Sequence, residues 1–266
     1  MARECGEEAP HSLYFRVQDT TFLKNGKMFF MIDMKINKMQ AALDTISYVR
    51  QQAECCILFN SCGKDSLVML DLVAPRFRRV VCVFMYFVKG LEHVERFLQS
   101  SAMKYPNVEV FQTPHWNLSY VRRGGMYCIT DPKQKLLKLR DVVNMVREEH
   151  GNLPVFLGMK KADSMNRRLM LNTYEANHYT NAGLAYPLAT WTQKEVLAYM
   201  RQHHLPAPIR YGRKASNGIG FNLDCYLWME QNAPQDLLRM YQEFPLSHRI
   251  LFEYHYNNPE IQLNNN

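Results

Sequence analysis

Five consecutive apolar residues, Cys55–Phe59, run directly into the polar loop Asn60-Ser61-Cys62-Gly63-Lys64-Asp65-Ser66. Leu67, Val68, Leu70, Leu72 and Val73 follow at helical spacing. A buried strand that feeds a helix through a short loop constrains the fold strongly, because the next strand must return parallel to the first. The alternation continues along the chain. Ile36, Met39, Leu43, Ile46 and Val49 mark a helical face before the strand. Val80–Phe87 reads as a second strand, Leu91–Leu98 as a helix, and Val108–Phe111 as a third strand. Leu136–Val146 reads as a longer helix and Pro154–Leu157 as a fourth strand. Continuously apolar strands between helices predict an α/β fold: an open, doubly wound, mostly parallel sheet covered on both faces. Ligands of such sheets bind outside the carboxyl ends of the strands.

Two loops stand at that edge. In the first, a helix start leaves backbone N–H groups free, and its dipole favours an anion. Gly63 permits close approach, Ser61 and Ser66 carry hydroxyl donors, and Lys64 brings a mobile positive charge. Asp65 either caps the helix or holds a magnesium ion on bound phosphates. The loop is not a Walker A motif: Leu58 stands where its first glycine belongs, and Asp65 follows Lys64. The second loop, Gly158 to Arg168, follows the fourth strand. Asp163 or Ser164 is expected to cap the next helix. Lys160 and Arg167 are expected to converge on ligand oxygens.

Ser61-Cys62-Gly63-Lys64-Asp65-Ser66 resembles the S-G-G-x-D-S signature of the PP-loop superfamily, the N-type ATP pyrophosphatases and their relatives. Cys62 is the departure from that pattern. Gly158, Asp163, Ser164 and Arg167 match the G-x-R-x-x-[DE]-S-x-x-R segment of the sulfate-assimilation branch, with Lys160 in place of arginine. That branch includes the phosphoadenylyl sulfate reductases and the ATP sulfurylase small subunit. Tyr186–Val196 is similar to its P-[LI]-x-x-W-[TS]-x-x-[DE]-[VI] segment, and His204–Gly212 to its LP…LY…G stretch. The resemblance spans roughly residues 36–220. It implies an adenine nucleotide, ATP or a related one, held by Phe59, Ser61, Cys62, Gly63, Lys64, Asp65 and Ser66, by Met85 and Tyr86, and by Gly158, Lys160, Asp163, Ser164 and Arg167. The adenine is expected near Phe59, Met85, Tyr86 and Leu157. Lys64, Lys160 and Arg167 are the expected catalytic cations, and Mg2+ on Asp65 the expected metal.

The reductases of this branch carry an E-C-G-x-H motif whose cysteine attacks sulfur, and this chain has none. Its late cysteine, Cys225, lies in an apolar setting and reads as buried and inert. Phe221 replaces the cysteine of the S-I-G-C segment. Seven scattered cysteines without a C-x-x-C pair argue against disulfides, an iron–sulfur cluster and a structural zinc. A reducing cytoplasm is therefore the expected compartment. No apolar leader or run of about 18 apolar residues is present, so neither export nor a membrane span is expected.

Outside the resemblance, Asn25-Gly26 between aromatic runs predicts a β-hairpin over Phe22–Met31. The expected organisation is a hairpin appendage at 1–33, a nucleotide-binding domain at 34–220 and a C-terminal extension at 221–266. Thr192 and Glu195 predict a capping box, and Trp191 a packing anchor. His115-Trp116 reads equally as a substrate lip or as plain surface. The net charge of +7 fits a phosphate-bearing partner, but the basic clusters are short.

Three functions remain open on these residues. The first is cleavage of ATP between its α and β phosphates to adenylate an acceptor, a transferase-type reaction. The second is a sulfonucleotide reductase-like enzyme. The third is a non-catalytic nucleotide sensor or nucleic-acid-associated protein. The sequence leaves the acceptor and the oligomeric state, a homo-oligomer included, open.

Overall fold

The computed structural model describes residues 26–174, 178–212 and 219–258, the first twelve of them by backbone alone. The chain divides into two units, Met1–Asn37 and Lys38–Asn266. Its helices are α1 (Gly26–Gln52), α2 (Lys64–Val73), α3 (Glu92–Ala102), α4 (Leu118–Gly124), α5 (Leu139–His150), α6 (Met165–Asn172), α7 (Gln193–Gln202), α8 (Leu223–Asn232), α9 (Pro234–Glu243) and α10 (Arg249–Asn257). Its strands are β1 (Cys55–Phe59), β2 (Arg79–Tyr86), β3 (Val108–Pro114), β4 (Val155–Phe156) and β5 (Leu184–Ala185).

The five strands form one sheet in the order β3-β2-β1-β4-β5, and every pairing within it is parallel. Side chains alternate across β1. Cys56 and Leu58 join a core with Ile46 and Val49 of α1, Leu72 of α2 and Val196 of α7. Ile57 and Phe59 face the other way, against Val142, Val143 and Val146 of α5 and Leu171 of α6. Both faces of the central strands are therefore buried, as the unbroken apolar runs require. Burying each such side chain contributes about 1.5–3 kcal/mol.

The chain order reverses between β1 and β4, so the loops leaving these neighbouring strands turn to opposite sides. This is where the Asn60–Gly63 and Gly158–Ser164 segments begin. α7 starts with the expected capping box: Glu195 N–H donates to Thr192 Oγ1 (3.4 Å), and Thr192 N–H to Glu195 Oε2 (2.6 Å). Trp191 is buried in the core and its indole N–H donates to the Lys38 carbonyl (3.2 Å).

The hairpin expectation is corrected where the structure describes it. Gly26–Met31 belong to helix α1, while Phe22–Asn25 lie outside the described residues. The reason is visible in the spacing: Met28, Ile32, Ile36, Met39, Leu43 and Ile46 recur every three or four residues, extending one helical stripe backward. The 221–266 extension contains α8, α9 and α10. With α3 and α4 they share a separate apolar cluster that includes Leu91, Val94, Tyr226, Met229, Met240 and Phe244. Among the described residues no helix is long and apolar enough to cross a membrane.

Candidate functional site

The loop after β1 is built by its own side chains. Asn60 is buried, and its Oδ1 accepts the Cys62 N–H (2.8 Å) while its amide reaches Cys82 Sγ (3.4 Å). This turn holds Cys62 at φ 59°, in the left-handed region. A glycine suits that region best, which explains why the PP-loop pattern has one there. Gly63 follows as the N-cap of α2, with no side chain capping the helix. A Cβ on Gly63 would lie 3.3 Å from Ser61 Oγ and crowd that hydroxyl. The first backbone N–H groups of α2 thus open toward the space above the loop.

That space is a cleft of about 350 Å³. Ser61, Cys62, Gly63, Lys64 and Asp65 line one end, and Asn60 and Phe59 the floor. The β2 end contributes Met85, Tyr86, Phe87 and Val88. Glu95, Gln112, His115 and Tyr211 add polar groups on the far side. The Gln112 amide is held by the Glu95 carboxylate at 2.8 Å. Burial lowers the pKa of His115, whose ring stacks on Phe87 with centroids 4.8 Å apart, so it is neutral at pH 7.

Phe59, Ser61, Cys62, Gly63, Lys64, Asp65, Met85 and Tyr86 therefore line the cleft as expected. Ser66 does not line the cleft. It is buried, and its hydroxyl donates to the Gly63 carbonyl (2.9 Å), stiffening the loop from below. Leu157 is packed in the core under α5 and α6 and lines no part of the cleft.

The second loop is brought to the first but not into the cleft. A methyl on Gly158 would touch the Asp65 backbone at 3.5 Å, so the two loops pack directly. Lys160 is 2% exposed, with its Nζ 2.7 Å from Asp65 Oδ1 and 2.9 Å from Asp163 Oδ1. Neither Lys160 Nζ nor Asp65 Oδ1 makes a well-directed hydrogen bond, so charge and not orientation holds this pair. Asp163 Oδ2 accepts the Lys160 N–H (3.0 Å) and the Arg167 guanidinium (2.7 Å). Asp65 Oδ2 in turn lies 3.2 Å from Lys64 Nζ. The result is a line of alternating charge: Lys64, Asp65, Lys160, Asp163, Arg167.

This corrects two expectations and decides between two candidate caps. Lys160 and Arg167 do not line the cleft, and the carboxylates of Asp65 and Asp163 engage them instead. Of the two candidate caps, Ser164 caps α6 by accepting the Arg167 N–H (3.2 Å). Asp65 does not cap α2, and its two oxygens face two ammonium groups. A carboxylate so occupied does not fit a resident Mg2+, and among the described residues no group of three His, Cys, Asp or Glu side chains gathers to hold a metal.

Burial raises the Asp163 carboxyl, but the Lys160 and Arg167 contacts outweigh it and hold the group below the usual carboxylate range. The thiols go the other way. Burial pushes Cys62 far up, and Cys225, fully buried outside the cleft, up to about 11.

Asn60, Glu95, Gln112 and Tyr211 complete the cleft and had not been singled out as ligand contacts. Asn60 alone carried a local signal, as a turn-forming residue between a strand and a helix. Trp116, by contrast, is partly buried against the core shared by β1, α5 and α6, and Arg122 pairs with Glu243.

A parallel sheet with an anion-ready loop at its reversal point is the architecture of a PP-loop-type protein. More narrowly, the chain belongs to the phosphoadenosine phosphosulfate reductase domain family, whose model matches residues 54–214. It is 26% identical over 187 residues to adenosine 5′-phosphosulfate reductase of Anoxybacillus flavithermus, covering 67% of this chain and 76% of that one. Among solved structures it is similar to phosphoadenylyl-sulfate reductase from Candida auris in a phosphate complex, at 14% identity and TM-score 0.44, covering 63% and 81% of the two chains. It is also similar to FMN adenylyltransferase of Candida glabrata, at 12% identity and TM-score 0.47, covering 80% and 77%.

Proposed function

We propose that the chain is a sulfonucleotide-family enzyme whose cleft takes an adenosine 5′-phosphate bearing a second acidic group, of the adenosine 5′-phosphosulfate type. The observation that carries this reading is the uncapped start of α2, which opens with Lys64 into an otherwise largely apolar cleft. The anionic tail rests on the N–H groups after Gly63, the Ser61 hydroxyl and the Lys64 ammonium. The base packs against Phe59, Met85 and Tyr86. Asp65 keeps Lys64 in place, and Lys160 fixes Asp65 from behind. Lys160 and Arg167 are thus positioning residues in this reading.

Reduction requires a thiolate to attack the sulfuryl sulfur. An S–S bond forms, the S–O bond to the phosphate breaks, and the adenosine 5′-phosphate leaves. A second thiol then releases sulfite. Cys62 and Cys225 are poor candidates for that attack, because burial keeps both thiols protonated. In this reading the thiols come from a separate dithiol reductant. The same burial favours a second reading, in which an acceptor oxygen attacks the α-phosphorus of ATP, the acceptor is adenylated and pyrophosphate leaves. Magnesium enters that reading as the counter-ion of the ATP phosphates. Lys64 stabilises the developing charge in both.

The two are separated by product analysis. The protein is incubated with adenosine 5′-phosphosulfate and dithiothreitol, and separately with magnesium and ATP labelled at the α-phosphate. Sulfite in the first supports the sulfonucleotide reading; labelled AMP or an adenylated acceptor with pyrophosphate in the second supports adenylation. Binding of either nucleotide with neither product leaves a nucleotide sensor and contradicts both enzymatic readings.

A further inference from the structure

Tyr211 lines the cleft, and behind it stands a buried polar relay that reaches into the C-terminal helices. The Tyr211 hydroxyl lies 2.7 Å from His93 Nε2, and His93 Nδ1 lies 2.5 Å from Asp236 Oδ2. Asp236 comes from α9, beyond the part of the chain matched by the family model. Its carboxylate is 2% exposed and fully engaged. Oδ1 accepts the Glu92 N–H (2.7 Å) and the Arg239 guanidinium (3.1 Å), and Oδ2 also accepts the His93 N–H (3.0 Å). Asp236 therefore closes the start of α3, and that structural role is the simplest account of it. The account stops at the carboxylate. It gives no reason for His93 to pass the contact on to a tyrosine in the cleft wall.

The proton positions follow from chemistry. A carboxylate can only accept, so His93 Nδ1 carries a hydrogen toward Asp236. Burial raises Asp236, but the His93 and Glu92 contacts outweigh it and keep it ionised. In neutral His93, Nε2 is then an acceptor and the Tyr211 O–H must donate to it. The phenol oxygen can then only accept from the cleft.

We propose that Asp236 and His93 set the hydrogen-bonding state of Tyr211, and that Tyr211 is the polar contact this wall offers to a bound adenine nucleotide. The surroundings support it. Leu91, Val94, Ile209 and Ile219 pack with Tyr211 in one cluster and line the same cleft, so this wall is otherwise apolar. The groups facing the relay are Asp236, Arg239 through Asp236, the Trp228 ring 5.1 Å from His93, and the thiols of Cys225 and Cys62 near Tyr211. The Glu92 carboxylate is turned away to Arg96. His93 and Asp236 act as positioning residues through Tyr211.

The inference rests on the nucleotide reading of the cleft, and its test keeps the two apart. The probe is adenosine 5′-phosphosulfate at pH 7.5. Its affinity is measured for the wild type, Tyr211→Phe, which keeps the ring, His93→Gln and the double variant, with circular dichroism to confirm folding. The expected result is that Tyr211→Phe weakens binding by roughly three- to tenfold, that His93→Gln weakens it too, and that the double variant binds no more weakly than Tyr211→Phe alone, because His93 acts through Tyr211. If Tyr211→Phe is folded and keeps the wild-type affinity, or if the two losses add, the relay is overturned and the nucleotide site stands. If the wild type binds no adenine nucleotide, the site reading fails and the relay falls with it.

Discussion

Lys160 Nζ lies 2.7 Å from Asp65 Oδ1, and this buried pair joins the two loops at the point where the sheet reverses its strand order. Lys160 is the hidden member: it is 2% exposed, whereas Asp65 is 24% exposed and lines the cleft. A cation that reads from the sequence as a ligand contact is in the fold a brace for the residue that holds Lys64.

Removing the brace exposes its cost. Lys160→Met leaves Asp65 and Asp163 facing one another without the charge between them. Breaking a buried pair in this way costs about 3–5 kcal/mol, and the partial exposure of both carboxylates puts this case at about 3 kcal/mol. Urea unfolding at pH 7 measures it. A loss below about 1 kcal/mol contradicts the brace.

Acid should weaken the same cluster. The Asp163 carboxyl is held below its usual range in the folded chain, so its stabilising effect is complete above the unfolded value of roughly 3.9 and is lost as pH falls through the lower folded value. Asp163→Asn lacks this dependence. Its urea midpoint should therefore fall less steeply than that of the wild type from about pH 4 downward. Parallel curves for the two proteins would show that Asp163 takes no part in the acid transition.

Cys62 at φ 59° carries backbone strain that a glycine does not. Cys62→Gly should leave stability within about 1 kcal/mol of wild type, since relief of strain offsets the lost side chain. Cys62→Ile, β-branched in the same conformation, should cost about 2 kcal/mol or more. Urea midpoints of the two variants test the order, and Ile at least as stable as Gly would refute it. Because burial raises the Cys62 thiol, iodoacetamide at pH 7.5 should label it slowly in the folded protein and rapidly after unfolding.

The sheet and the loop were legible because both are local. β1 and its following helix sit within nineteen residues, Cys55–Val73, and their periodicity needs no tertiary context. β5 was not legible, because Leu184–Ala185 is too short to show a period of two. The hairpin failed through the reverse error: the Asn25-Gly26 dipeptide outweighed a helical stripe already present from Met28 onward. In the site, the loop and the β2 end at Met85 and Tyr86 were found, whereas Glu95, Gln112 and Tyr211 were not. His93 stands more than a hundred positions from both Tyr211 and Asp236, and packing alone brings them together. Lys160 shows the limit most clearly. The sequence reveals a conserved-charge substitution for arginine in a family pattern, but not the two carboxylates that the fold places on either side of it.

The central claim is that the cleft above Ser61–Asp65 binds an adenine nucleotide by its anionic tail, with Lys64 as the cation that meets it. Isothermal titration of adenosine 5′-phosphosulfate, and of ATP with magnesium, into the wild type, Lys64→Ala and Arg122→Ala tests it most directly. The account predicts saturable one-site binding to the wild type, an affinity about tenfold or more weaker in Lys64→Ala, as for a charge-assisted contact, and wild-type affinity in Arg122→Ala, whose guanidinium pairs with Glu243 outside the cleft. No saturable binding of either nucleotide, or equal affinity in the wild type and Lys64→Ala, would contradict it.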